Sequence, residues 1–180
     1  LEARDSRPYG HSSVRSAFEI TSGVYYYEVT LITSGKARIG WCTQEAELYK
    51  HRGLGSDQHS IGLDCSCEND ECCPVVWHQT PCYTRPALVK DTCQWKAGDV
   101  VGCLISFTDR KFTFYLNGKL ISLDDINVEI SFSTQHYYPA ISLSSHQQLY
   151  CNFGQESYKF LPDGINHINQ ENIKDQKCLL

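Results

Sequence analysis

Residues 109–118 read DRKFTFYLNG, and the fold turns on how this stretch is read. Phe112, Phe114 and Leu116 fall on one side of an extended chain, and Lys111, Thr113 and Tyr115 on the other. That period of two is the pattern of a half-buried β-strand. Asn117-Gly118 follows at once, and both residue types accept the positive φ of a tight hairpin turn. Residues 119–122 (KLIS) then read as the return strand. The apolar run 100–107 (VVGCLISF) reads as the strand before, turned by Thr108-Asp109-Arg110. The three make a meander, expected in the middle of a sheet.

Working outward, residues 24–32 (VYYYEVTLI) are rich in β-branched and aromatic side chains and form a second strong strand. Ser34-Gly35-Lys36 turns it into residues 37–43, where Ala37, Ile39, Trp41 and Thr43 share a face. Gly40 inside that strand implies a close neighbour or a bulge. Upstream, residues 13–20 alternate, with Val14, Ser16, Phe18 and Ile20 on one face, and residues 1–11 show no period and read as a turn or loop. Residues 44–59 form a long loop with room for one helical turn at 45–50. Residues 60–64 and 75–78 are short strands flanking CSCENDECC at 65–73, and residues 136–143 and 148–153 make a final strand pair joined across 144–147. Roughly ten short strands without a helical period argue an all-β antiparallel sandwich, not a βαβ fold.

At 180 residues the chain suits one domain able to bury roughly 70% of its unfolded surface. Its net charge of −5 leaves no electrostatic footprint for nucleic acid or anionic membrane. No apolar run approaches the ~20 residues of a membrane span. The chain has no Met and opens LEARDS, so it reads as a monomeric domain cut from something longer. Ten cysteines suit either a disulfide framework or a reducing compartment. Cys42, Cys103 and Cys151 sit in strand-like apolar patterns, where reduced Cys behaves as a small hydrophobe. No Asn-x-Ser/Thr sequon occurs, and a cytoplasmic location is expected.

The order GVYYYEV, ARIGW, GDVVGCLISF, FTFYLNG, YYPAIS and CNFG resembles the SPRY domain, from about residue 3 to residue 160. Within that family, LEARDS, SSVRSAFEI and GVYYYEVTLITSG look most like the SPRY domains of ubiquitin ligases of the RING-finger-and-SPRY kind. The resemblance implies a bent sandwich over residues 1–161, with long loops, that binds a protein segment and performs no catalysis. Residues 162–180 would be an irregular tail, a docked turn or disordered.

By matched position, the implied partner-binding residues are Arg7 and Pro8 in the first loop, Thr43, Tyr49 and Leu54 in the loop after the Gly-Trp strand, and Ser144, Ser145 and His146 in the last turn. Family members with an Asn-rich ligand carry an aromatic where Ser145 stands, which argues against that ligand here. The expected function is capture of a short partner or substrate segment, as the substrate-recognition part of a ubiquitin ligase.

Trp41, Phe112, Phe114, Phe153 and Tyr25, Tyr26 and Tyr27 read as packing residues rather than ligand contacts. Cys65, Cys67, Cys72, Cys73, His78, Cys82 and Cys93 offer ligands enough for one tetrahedral zinc, although their spacing is not the paired Cys-x-x-Cys knuckle. A thiol-rich insertion that binds nothing and a local disulfide are the other readings, and no cofactor is expected. The alternative function is a zinc- or redox-responsive binding module built on this insertion. No Gly-x-Ser-x-Gly, His-Glu-x-x-His or phosphate-loop motif is present, so nothing points to an enzyme.

Overall fold

The computed structural model describes residues 2–4, 11–48, 53–64, 75–78, 87–88, 95–122, 136–163 and 165, with 2–4, 11, 75–78 and 87–88 described by backbone alone. Twelve strands follow in chain order: β1 (Glu2–Arg4), β2 (His11–Arg15), β3 (Val24–Leu31), β4 (Ala37–Cys42), β5 (Ser60–Asp64), β6 (Val75–His78), β7 (Ala87–Leu88), β8 (Val100–Ser106), β9 (Lys111–Leu116), β10 (Lys119–Ile121), β11 (Tyr138–Ser144) and β12 (Gln148–Asn152). They form two antiparallel six-stranded sheets. The first runs β1-β12-β3-β8-β9-β10 and the second β2-β11-β4-β5-β6-β7. Among the described residues there is no helix.

The strands and turn of the meander are as the sequence reads, but its expected place in the middle of a sheet is corrected: β8, β9 and β10 stand at one side of the sheet, where β10 is terminal among the described residues. Phe112 and Phe114 point into the core opposite Ile105 and Cys103. Asn117 (φ 49°) and Gly118 (φ 79°) are both left-handed, the pair a two-residue turn of this hand requires. Asn117 also ties the turn to β8: its Oδ1 accepts the Val100 N–H (2.8 Å) and its Nδ2 donates to Asp99 (3.0 Å). The meander fills one half of its sheet and ends at the edge, since β10 pairs with β9 alone.

Between the sheets, alternate residues of β3 (Tyr25, Tyr27, Val29, Leu31) and β8 (Val101, Cys103, Ile105) meet Ile39 and Trp41 of β4, Ile61 and Leu63 of β5, and Ile141 and Leu143 of β11. Tyr27 stands edge-on to Trp41 (ring centroids 5.1 Å apart) and its hydroxyl donates to the Gly40 carbonyl (2.6 Å), so a buried phenol is satisfied across the core. Cys42, Cys103 and Cys151 are all buried cysteines outside any disulfide. Burial is the main cause that pushes the Cys42 thiol up to about 12, and it likewise raises that of Cys103.

Four local readings need correction. Residues 1–11 are not all loop, because Glu2–Arg4 is an edge strand on β12. The alternation of 13–20 is not one strand: pairing with β11 ends at Arg15, and Ile20 makes only an isolated bridge to Tyr137. Residues 44–48 hold a turn, not a helical one. Finally, β11 and β12 are not a hairpin, for they lie in different sheets, as do β3 and β4. The two crossing connections zip together instead of closing hairpins. Ser144 N–H donates to the Lys36 carbonyl (3.0 Å), Thr33 N–H to the Gln148 carbonyl (3.1 Å), and Gln148 N–H to Thr33 Oγ1 (2.8 Å).

On the outer face of the first sheet, Tyr26 and Glu28 are each 2% exposed, although both point away from the core. Residues 153–161 lie over them as a strap. Glu28 accepts the backbone N–H groups of Lys159 (2.8 Å) and Phe160 (2.7 Å), together with the Tyr26 hydroxyl (3.2 Å). Tyr158 OH donates to the Tyr26 carbonyl (2.8 Å), and its ring meets Tyr26 edge-on. Gly102 of β8, opposite Glu28, leaves the space that the Tyr26 ring occupies; a Cβ there would strike the ring.

A preformed loop on the outer face of the second sheet

The outward residues of β4, β5 and β11 are Arg38, Gly40, Cys42, Gly62, Ala140 and Ser142, the alternates to the core set. Over this face folds the segment joining β4 to β5. Arg38, itself 8% exposed, donates through Nη1 to the Leu54 carbonyl (3.2 Å) and to Ser56 Oγ (3.3 Å), with Asp64 3.8 Å from its Nε. A buried guanidinium with a carboxylate beside it and two oxygens accepting from its Nη1 has a counter-charge and hydrogen-bond partners, which makes burial tolerable.

Leu54 N–H donates to Ser142 Oγ (2.8 Å), whose hydroxyl lies 2.7 Å from that of Ser13 on β2. Asp57 knits the segment internally. Its Oδ1 accepts His59 N–H and Ser60 Oγ–H (both 2.9 Å), and its Oδ2 accepts Glu47 N–H (2.7 Å). The Leu54 side chain is fully buried against Cys42 and Ala140, with Ala46, Leu48 and Tyr138 half-buried around it. Residues 43–48 and 53–59 of this segment are therefore held against the sheet before any partner arrives.

The expected binding residues fall differently from their sequence reading. Arg7, Pro8 and Tyr49 lie outside the described residues, as do Cys65, Cys67, Cys72, Cys73, Cys82 and Cys93; His78 is a β6 residue opposite Ile61. The strands flanking residues 5–10 end at Arg4, opposite Gln148, and begin at His11, opposite Ser144. Those flanks thus adjoin the turn that carries Ser144, Ser145 and His146. In that turn His146 is exposed with φ 64°, and Ser144 Oγ donates to the Lys36 carbonyl (2.8 Å).

Leu54 and Thr43 are corrected. Leu54 is fully buried, so it anchors the loop and offers no side chain to a partner. Thr43 is 1% exposed, and its hydroxyl donates to Glu45 Oε2 (2.7 Å), which holds the Glu45 carboxyl below its usual range. Thr43 also sits at the far end of the sheet from Ser144. Cys42 faces Tyr138, at the opposite end of β11, about 20 Å away at strand rise.

Near Thr43 the structure assembles a cluster that the sequence did not flag. Arg15 lies 4.7 Å over the Tyr138 ring and donates to the Thr43 carbonyl (3.4 Å). Tyr138 OH donates to Glu19 Oε2 (3.0 Å), and His136 Nδ1 lies 2.8 Å from the same oxygen. These hydrogen bonds hold the Glu19 carboxyl below the usual carboxylate range, that of His136 having the larger effect. The two halves of the cluster are more than a hundred residues apart in sequence, so no local pattern could have joined them. Among the described residues no group of three or more His, Cys, Asp or Glu is placed to hold a metal, and no helix is long and apolar enough to cross a membrane.

Comparison with known proteins agrees with this architecture. The chain is 31% identical over 162 residues to the E3 ubiquitin-protein ligase RKP of Arabidopsis thaliana, covering 88% of this chain and 11% of that protein. It is 28% identical over 152 residues to the ATP-dependent RNA helicase DDX1 of Xenopus laevis, covering 84% of this chain and 18% of the helicase. The Drosophila melanogaster helicase Ddx1 matches at 24% over 140 residues, 78% of this chain and 17% of its own length. The chain thus spans less than a fifth of each of these relatives. The SPRY domain profile matches residues 24–156, from the first core strand β3 to the strap, and the chain belongs to the SPRY domain family, whose members are non-catalytic protein-interaction modules.

Proposed function

We propose that this domain captures a short segment of a partner protein at the end of the sandwich formed by the 144–147 turn and the flanks of residues 5–10, and that it serves as the substrate-recognition part of a ubiquitin ligase. The observation that carries the binding reading is the clamping of residues 43–48 and 53–59. Arg38, Ser142 and Asp57 fix a loop that could otherwise be costly to order. Loops ordered in advance spare a complex that entropy. Exposed His146, held on a left-handed backbone, is open to a partner at this end. The ligase reading draws on the similarity to RKP.

The test is affinity capture from a cell lysate, read by quantitative mass spectrometry. It compares the wild-type domain with a Ser145→Arg, His146→Glu variant whose thermal transition matches wild type. Specific proteins should vanish with the variant, and their ubiquitylation should fall in cells lacking the parent protein. An unchanged set of captured proteins would remove the turn from the binding surface. Loss of binding with unchanged ubiquitylation would leave the binding module and reject the ligase role.

A further inference from the structure

Arg15 is a guanidinium held in a fixed place with most of its donors uncommitted among the described residues. It is half-buried at the end of β2, lies over Tyr138, and among the described residues makes one hydrogen bond, to the Thr43 carbonyl. No carboxylate among the described residues comes within 4 Å of it, although the chain carries 21 acidic residues to 16 basic ones. The nearby carboxylates are already engaged: Glu19 by Tyr138 and His136, and Glu45 by the Thr43 hydroxyl. Beside the guanidinium, half-buried Ala46, Leu48 and Tyr138 form an apolar ledge backed by Leu54.

We propose that this corner of the second sheet is a second protein-recognition site, in which Arg15 receives an aspartate or glutamate side chain of a partner segment while aliphatic neighbours of that side chain lie on Tyr138, Ala46 and Leu48. A guanidinium presents a planar fork of five donors that matches a carboxylate in a bidentate manner. Stacking on an aromatic ring removes rotamer freedom before binding, so less is lost in the complex. Arg and Tyr are also the residue types that dominate interface hot spots. The site lies at the opposite end of β11 from the 144–147 turn, about 20 Å away, so it stands or falls independently of that turn. Glu45 feels the charge of Arg15 and would repel an incoming carboxylate. The acidic ligand is therefore attracted by one group and opposed by another, which provides two levers of opposite sign.

The probes are capped peptides of Gly, Ser and Leu carrying Glu, Gln, Lys or phosphoserine at one central position. They are titrated into 15N-labelled domain while the backbone amide resonances of residues 43–48 are followed in every variant and the Arg15 Nε–Hε resonance wherever Arg15 is present. The Glu peptide is expected to bind and shift these resonances. Arg15→Gln and Arg15→Lys should each weaken it about tenfold or more, the range for a hydrogen bond to a charged group. Glu45→Gln should tighten it severalfold, and His146→Ala should leave it unchanged. Arg15→Lys keeps the charge and most of the stem, so a folding failure of Arg15→Gln would not hide the answer. Equal binding of the Gln peptide, insensitivity to both Arg15 variants, or no binding by any peptide would overturn the proposal. Binding of the phosphoserine peptide alone would also overturn it, by making the site one for phosphopeptides.

Discussion

Replacing Glu28 tests the account of the strap most directly. The carboxylate is 2% exposed and accepts two backbone N–H groups, from Lys159 and Phe160, and the Tyr26 hydroxyl. In Glu28→Ala the hydroxyl keeps a partner, because it also donates to the Phe160 carbonyl at 3.0 Å. The two amides keep none. A fully buried donor left unpaired costs about 1–3 kcal/mol, so roughly 2–6 kcal/mol is the upper bound for the pair with the strap down, reduced because Lys159 and Phe160 are themselves exposed residues. Lifting the strap lets water reach the amides and moves the cost toward the lower end, about 3 kcal/mol. At about 2–4 °C per kcal/mol for a domain of this size, the thermal midpoint should fall by roughly 6–12 °C. Glu28→Gln retains one acceptor oxygen but sets an NH2 group against the other amide, and should cost roughly half as much. Amide hydrogen exchange locates the effect. Protection at residues 159 and 160 should collapse in Glu28→Ala while that of β8 and β9 persists. A Glu28→Ala domain that melts within a degree of wild type, with those two amides still protected, would refute the reasoning.

Other predictions rest on separate features. Leu54→Ala opens a cavity beneath the 43–59 segment and should cost about 2–5 kcal/mol in denaturant unfolding, where a mere contact residue would cost almost nothing. Gly118→Ala places a Cβ on a left-handed backbone (φ 79°) and should cost about 1–2 kcal/mol, measured the same way. Alkaline pH should unfold the domain. Burial raises the thiols of Cys42 and Cys103 and the phenols of Tyr26, Tyr27 and Tyr137, so the folded state keeps protons that the unfolded chain releases. Stability is then fully present below the unfolded thiol range, near pH 8.5–9, and declines as pH rises toward the Cys42 value of about 12. The two thiols should each contribute up to about 1.4 kcal/mol per pH unit. Denaturant midpoints that stay flat between pH 8 and pH 11 would sink this expectation. A thiol-specific reagent at neutral pH should likewise leave Cys42, Cys103 and Cys151 unlabelled until the chain unfolds.

Local sequence carries what is local in the fold. The alternation around Phe112 and Phe114, the Asn117-Gly118 turn and the inward set of Ile39 and Trp41 are all short-range patterns, and each is legible. Which sheet a strand joins is not written in its alternation. Residues 136–143 and 148–153 look the same whether they close a hairpin or cross between sheets; hydrogen bonds to Lys36 and Thr33, more than a hundred residues upstream, decide between the two. Glu28 shows the same limit. On a strand with one core face it reads as a solvent residue, and only the aperiodic strap 153–161 accounts for its burial. For the expected binding residues, the structure shows only where they lie: the turn of Ser144, Ser145 and His146 adjoins the strands that flank residues 5–10. The burial of Leu54 and Thr43 was not legible, because an apolar or hydroxyl side chain in a loop can face either solvent or sheet; the Leu54 N–H reaches Ser142 and the Thr43 N–H reaches the His59 carbonyl, contacts that no local pattern announces.

The pairing of β1 with β12 and of β2 with β11 bears on how the chain is made. Each of the two N-terminal strands has one neighbour in its sheet, and both neighbours belong to the last part of the domain to be synthesised. More than 120 residues separate Arg15 from Tyr138. At about 5–20 residues per second, the opening segment waits on the order of 6–25 s after leaving the ribosome before its partners exist. Through that interval it offers two unpaired strand edges to any neighbouring nascent chain, and the domain can close only near the end of its own translation.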